Sequence, residues 1–223
     1  MEGFEIVQSI VDVVGDRIMG FNFNRYGRNG EGDQRPDPRE HITVRLDVED
    51  TRILQEVEAR LDDMKNRGEI SDWCREENNP YDVTPFEQYS PDHHVAHEAS
   101  TACALKFNEE MRSNPDEFRK FSANKVGFLS DFLPHSLRCC GFRILTNLPT
   151  PASQFIDNLA SICAEAFRNT VRGRVIENRY VFTERFVHTF LNCICVGGNE
   201  EFHVVFNLMR VVTFENLSAS LES

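Results

Sequence analysis

Three stretches of this sequence carry side chains able to move a proton, hold a metal or bind an anion. The first is Asp92-His93-His94-Val95-Ala96-His97-Glu98, where His93 and His97 stand four residues apart. On a helix that spacing puts two imidazoles on one face, as in helical zinc sites. No glutamate follows the first histidine of the pair, so HExxH is absent, and no third ligand is evident nearby. The competing reading is a solvated, histidine-rich helix start. The second stretch holds His188, with Asn192 four residues on, inside the largely apolar run 180–196. Imidazole titrates near neutrality and suits general acid–base work, although a lone histidine in such a run also serves as a hydrogen-bonded core residue. The third is a pair of arginines in alternating segments, Arg25 in FNFNRY and Arg45 in HITVRL. Guanidinium is the group for bidentate capture of a carboxylate.

Other motifs carry less. The glycines of GRNGEG (27–32) fit neither GxGxxG nor GxxxxGK[ST], so a nucleotide site has no support. Seven cysteines form no disulfide framework, and neither Cys139-Cys140 nor Cys193-Ile194-Cys195 has redox spacing. They read as reduced thiols, mostly in the core.

The elements that must position these residues follow from apolar periodicity. Residues 4–14 suit a helix or a buried strand equally. Residues 18–26 and 41–48 alternate with period two and predict strands, joined by the charged, turn-rich loop 27–40. Ile53, Leu54, Val57, Leu61 and Met64 recur at three and four, predicting an amphipathic helix over 51–67, capped near Asp50 and ended by Gly68. Residues 70–86 begin strand-like. Residues 92–112 predict a helix with Asp92 as N-cap, 115–133 a helix opened by Pro-Asp-Glu, and 151–170 a third strongly amphipathic helix. Helix and strand compete over 180–196. Beyond the break at Gly197-Gly198-Asn199, residues 200–214 predict a helix with Glu200 and Glu201 in its first turn. Two early strands followed mostly by helices predict one α+β domain over 1–223, with a small, mainly antiparallel sheet packed by amphipathic helices.

Composition narrows the function classes. The 223 residues are 40% hydrophobic and 27% charged, a balance that can bury a core. The net charge of −12 argues against non-specific nucleic-acid binding, which needs a basic footprint. No apolar run is long enough to predict a membrane span, and the acidic N-terminus lacks the basic region of a secretory signal. The expectation is a cytoplasmic protein. Only four of the 24 basic residues are lysine.

Taken in order, FNFNRY, HITVRL, NPY…FEQYSPDHHVAHEA and FVHTFLN…GGNEEF resemble the C-terminal, glutamate-elimination domain of class I lanthipeptide dehydratases, a domain that also occurs alone in thiopeptide biosynthesis. The likeness covers roughly residues 18–210. Arg25 and Tyr26 match the family's Arg-Tyr pair, His41 and Arg45 its strand motif with Thr43 in place of an arginine, and His188 and Asn192 its late histidine motif with Cys193 where arginine is usual. Tyr89 matches the tyrosine of the family's Arg-Tyr-Gly-Gly segment. There Gln88 replaces the arginine, Ser90-Pro91 the glycines and Pro85 an upstream glutamate. The resemblance implies a lyase that removes glutamate from glutamylated serine or threonine of a precursor peptide, with His188 and Arg45 catalytic. It implies Arg25, Tyr26, His41, Gln88, Tyr89 and Asn192 as substrate-binding residues. No metal or organic cofactor is implied. The expected partners are the precursor peptide, a separate glutamylating subunit and further copies of the chain. The alternatives are a heterocycle-forming relative and a non-catalytic domain that holds the peptide or serves as a partner subunit.

Overall fold

The structure is a computed structural model and describes residues 2–15, 17, 20–26, 41–48, 50–75, 91–144, 153–194 and 211–214. Among them are seven helices: α1 (Glu2–Val14), α2 (Thr51–Asn66), α3 (Pro91–Ser113), α4 (Pro115–Ala123), α5 (Lys125–Cys139), α6 (Gln154–Val171) and α7 (Arg179–Ile194). Four short strands pair two by two. β1 (Gly20–Tyr26) runs antiparallel to β2 (His41–Asp47), and β3 (Phe142–Ile144) antiparallel to β4 (Val211–Phe214).

This corrects the α+β expectation of a small sheet packed by helices. The described fold is predominantly helical, and its strands make two separate two-stranded ladders rather than a sheet that forms a layer. The reason lies in how buried residues are spaced. Thr183, Val187 and Leu191 are buried next to Phe182, Phe186 and Phe190 at four-residue intervals, and adjacent residues share a face on a helix but not on a strand. The three phenylalanines are buried, and Phe186 stacks on Phe190 with centroids 6.1 Å apart. That contact links Phe142, Phe167 and Phe182 on one side to Phe107, Phe128 and Phe132 on the other. The aromatic residues that suggested a strand therefore form the helical core.

α3 is the central helix. Its small residues Ala96, Ala99, Ser100, Cys103 and Ala104 are buried, which lets α6 and α7 approach closely. Ser100 Oγ lies 2.6 Å from the Ala96 carbonyl and 2.8 Å from the Phe186 carbonyl of α7. Cys103 Sγ donates to the Cys163 carbonyl of α6 at 3.2 Å. The β1–β2 ladder lies against this bundle. Phe23 is fully buried, Ile42 and Val44 pack on the main core, and Leu46 and Val48 turn to a smaller cluster of Ile10, Val14, Ile53 and Val57.

Local signals explain most boundaries. Asp50 caps α2 by accepting from Arg52 N. Gly68, at φ +74°, closes the other end: Gly68 N donates to Lys65 O and Glu69 N to Met64 O, a Schellman motif. The single helix expected over 115–133 is two, because Asn124 leaves helical geometry and its side chain accepts from Gly127 N at 2.9 Å to start α5. Residues 70–75 form no strand, against expectation. Residues 211–214 pair with β3 as a strand where the continuation of a helix was expected; Val211, Val212, Thr213 and Phe214 are β-formers. The loop 27–40, the polar connection 76–90 and residues 195–210 lie outside the described residues.

Candidate functional site

Helix α7 carries the expected base. His188 and Asn192 lie one turn apart, and Asn192 Nδ2 is 3.2 Å from His188 Nδ1. Both side chains are half-buried. With the amide nitrogen facing Nδ1, the neutral ring carries its hydrogen on Nε2; turning the amide so that Oδ1 faces Nδ1 moves the lone pair to Nε2.

The next residue, Cys193, ties α7 to the strands. Its buried Sγ donates to the Phe23 carbonyl at 3.4 Å. Phe23 pairs with Val44, and the adjacent rung pairs Asn22 with Arg45. β1 is thus seated against the half of α7 that bears His188 and Asn192, and β2, which bears Arg45, follows as its ladder partner.

The charge of Arg45 is felt on α3. Burial first, then the guanidiniums of Arg45 and Arg185, hold His97 down to about 4. Arg185 lies three residues before His188 on α7, and its Nε donates to His93 Nε2 at 3.1 Å. Burial and Arg185 likewise lower His93. Burial and neighbouring guanidinium charge thus disfavour the charged form of both imidazoles in the His93/His97 pair considered as a metal site. Among the described residues no cluster of three or more histidine, cysteine or acidic side chains is placed to hold a metal.

Asp92 does not cap its own helix as expected. Its carboxylate is buried and accepts from Glu177 N at 2.9 Å and Asn178 N at 2.6 Å, pinning the turn that leads into α7. Arg174 in the same turn pairs with Glu98 of α3 at 3.2 Å. These contacts fix where α7, and with it Arg185 and His188, enters the bundle.

The other expected residues are divided. Tyr26 pairs with His41 and Arg25 with Ile42 along the ladder. The Tyr26–His41 rung lies four residues, roughly 13 Å, along the strand from Arg45, so His41 is not brought to Arg45. Gln88 and Tyr89 lie outside the described residues. Sequence reasoning did not single out Arg185, which stands three residues before His188, and it weighed His93 and His97 for a metal against a solvated helix start. No family model, curated protein or solved structure matches this chain.

Proposed function

We propose that this chain is a peptide-modifying lyase-type domain that eliminates glutamate from glutamylated serine or threonine of a precursor peptide, in the cytoplasm, alongside a separate glutamylating subunit. The observation that supports this reading is the seat of β1, the ladder partner of the Arg45 strand, on α7 through Phe23 and Cys193, in the same half of the helix as His188. In the proposed step the Asn192 amide turns its oxygen to Nδ1, and His188 Nε2, which then holds the lone pair, takes the α-proton of the esterified residue. The C–H electron pair becomes the Cα=Cβ bond, the Cβ–O bond breaks, and glutamate leaves with its carboxylate restored. Arg45 stabilises negative charge as it develops, and the proton on His188 returns to solvent. Asn192 keeps the imidazole oriented.

Gln88 stands where the resemblance expects an arginine. Losing such a charged contact costs on the order of 2–4 kcal/mol in the transition state. That replacement favours a second reading, in which the domain binds and orients a peptide, as a heterocycle-forming enzyme or a holding subunit. Incubation with a glutamylated serine peptide separates the two. Elimination releases free glutamate and leaves a dehydroalanine peptide, whereas a binder retains the peptide at unchanged mass.

A further inference from the structure

The last turn of α3 and the first half of α6, neither of which bears His188 or Arg45, line a cleft of their own. The two helices are pinned together at Cys103 and Cys163, where each thiol meets the other residue's backbone carbonyl, at 3.2 and 3.5 Å. Beyond that contact they leave an open cleft of about 410 Å³. Its apolar lining is Phe155, Leu159 and Ile162 of α6. Its polar lining comes from both helices: Glu110 and Asn114 of α3, Asn158 and Ser161 of α6. Two of these side chains donate within their own chain segment, Asn114 Nδ2 to Glu110 O at 2.8 Å and Ser161 Oγ to Asp157 O at 2.9 Å. Their oxygens remain as acceptors. Glu110 adds a half-buried carboxylate that makes no ion pair among the described residues. The basic side chains nearest to it along α3 are committed elsewhere, Lys106 to Glu109 at 2.7 Å and Arg112 to Glu5 at 2.9 Å.

We propose that this cleft docks a peptide segment in which a lysine stands beside a large apolar residue, with the ammonium at Glu110 and the apolar side chain on Phe155 and Ile162. A lining rich in acceptors calls for a ligand that only donates, and an ammonium has three donors and no acceptor. Those donors rotate, which suits acceptors supplied by two different helices, whereas the fixed fork of a guanidinium suits one planar partner. The lysine stem covers apolar surface while its head stays at the polar edge. The cleft has room for more than a free amine, and its open side lets a chain run through it. A net charge of −12 draws in a basic segment from a distance. The same charge makes a second copy of this chain the poorer occupant, because two such copies repel. The inference does not rest on elimination: a docked segment needs no reacting bond.

The test is titration of the isotope-labelled full chain with the capped peptide acetyl-Ala-Leu-Lys-Leu-Ala-amide, followed by backbone amide NMR shifts. The same peptide with acetyllysine, and n-hexylammonium alone, are the comparison ligands. The expected result is saturable shifts confined to residues 110–114 and 155–162, lost with acetyllysine. Glu110→Gln should weaken binding about fivefold with unchanged circular dichroism. Asn158→Lys, at an exposed position of the lining, places a competing ammonium in the cleft and should abolish binding. Absence of shifts at millimolar peptide overturns the proposal, as do shifts spread over the acidic surface and indifferent to Glu110→Gln. Binding of n-hexylammonium without binding of the peptide makes the cleft a small-amine site and overturns it too. Glutamate release from a lysine-free glutamylated peptide is scored independently. Release without Glu110-dependent docking sinks this site and spares elimination, while docking without release does the reverse.

Discussion

Cys193 Sγ on α7 touches the backbone oxygen of Phe23 on β1 at 3.4 Å. The two residues are 170 positions apart, and their contact joins the helix that carries His188 to the strand paired with the one that carries Arg45. A fully buried thiol between a helix and a ladder cannot be lost without loosening that joint. Cys193→Ala should destabilise the fold by about 1–2 kcal/mol through lost burial and the lost weak hydrogen bond. It should also lower any His188-dependent rate more than Cys163→Ala, a buried thiol far from the ladder, does. Denaturant unfolding of the two variants, read beside activity, checks this; equal effects on activity would separate Cys193 from the site.

Asp92 organises the approach to α7 from below the site. Its carboxylate accepts two backbone N–H groups while 1% exposed. Asp92→Ala leaves both donors buried and should cost about 2–3 kcal/mol. Asp92→Asn keeps one acceptor oxygen and should cost less. Urea midpoints for the pair of variants give the comparison, and an Asp92→Ala midpoint equal to that of the native chain would show the turn to be held by other contacts.

The folded state should weaken in mild acid because of His97. Its folded value of about 4 lies below the ordinary 6.5, so the unfolded chain binds the proton more tightly. Stability from this residue is fully present above pH 6.5 and is lost as pH falls from 6.5 towards 4, a change of at most about 3 kcal/mol. His97→Asn should flatten that part of the stability–pH curve. Parallel curves for native and variant would remove His97 from the account.

The aromatic spine should be the most sensitive part of the core. Phe190 packs on Phe186, Phe132 and Phe107, and Phe190→Ala should cost about 3–5 kcal/mol. Phe190→Leu should cost less than half of that. Thermal melts decide it; a small loss for Phe190→Ala would mean the spine repacks.

What could be read from the sequence was local. Period-two alternation placed β1 and β2, periodic leucines, isoleucines and valines placed α2, and Gly68 placed its end, because each signal lies within a few residues. The α7 segment stayed ambiguous since Phe, Val and Thr favour strands, and only packing against α3, made possible by Ala96, Ala99 and Ser100, turns it into a helix. Asp92 looked like an N-cap because its real partners, Glu177 N and Asn178 N, lie 85 and 86 residues away. The four-residue spacing of His93 and His97 was legible, but its meaning was not. Arg45 and Arg185, whose charges hold His97 down, come from two other elements. The break at Asn124 was missed because a single asparagine both ends α4 and caps α5.

The central claim is that His188 and Arg45 act on one substrate. Its most direct measurement is single-turnover release of glutamate from a glutamylated serine peptide by the native chain, His188→Ala and Arg45→Ala. The account expects release by the native chain and a loss on the order of 10²-fold or more in each variant, with little further loss in the double variant because both serve one step. No release by the native chain, or release that survives His188→Ala, would contradict it.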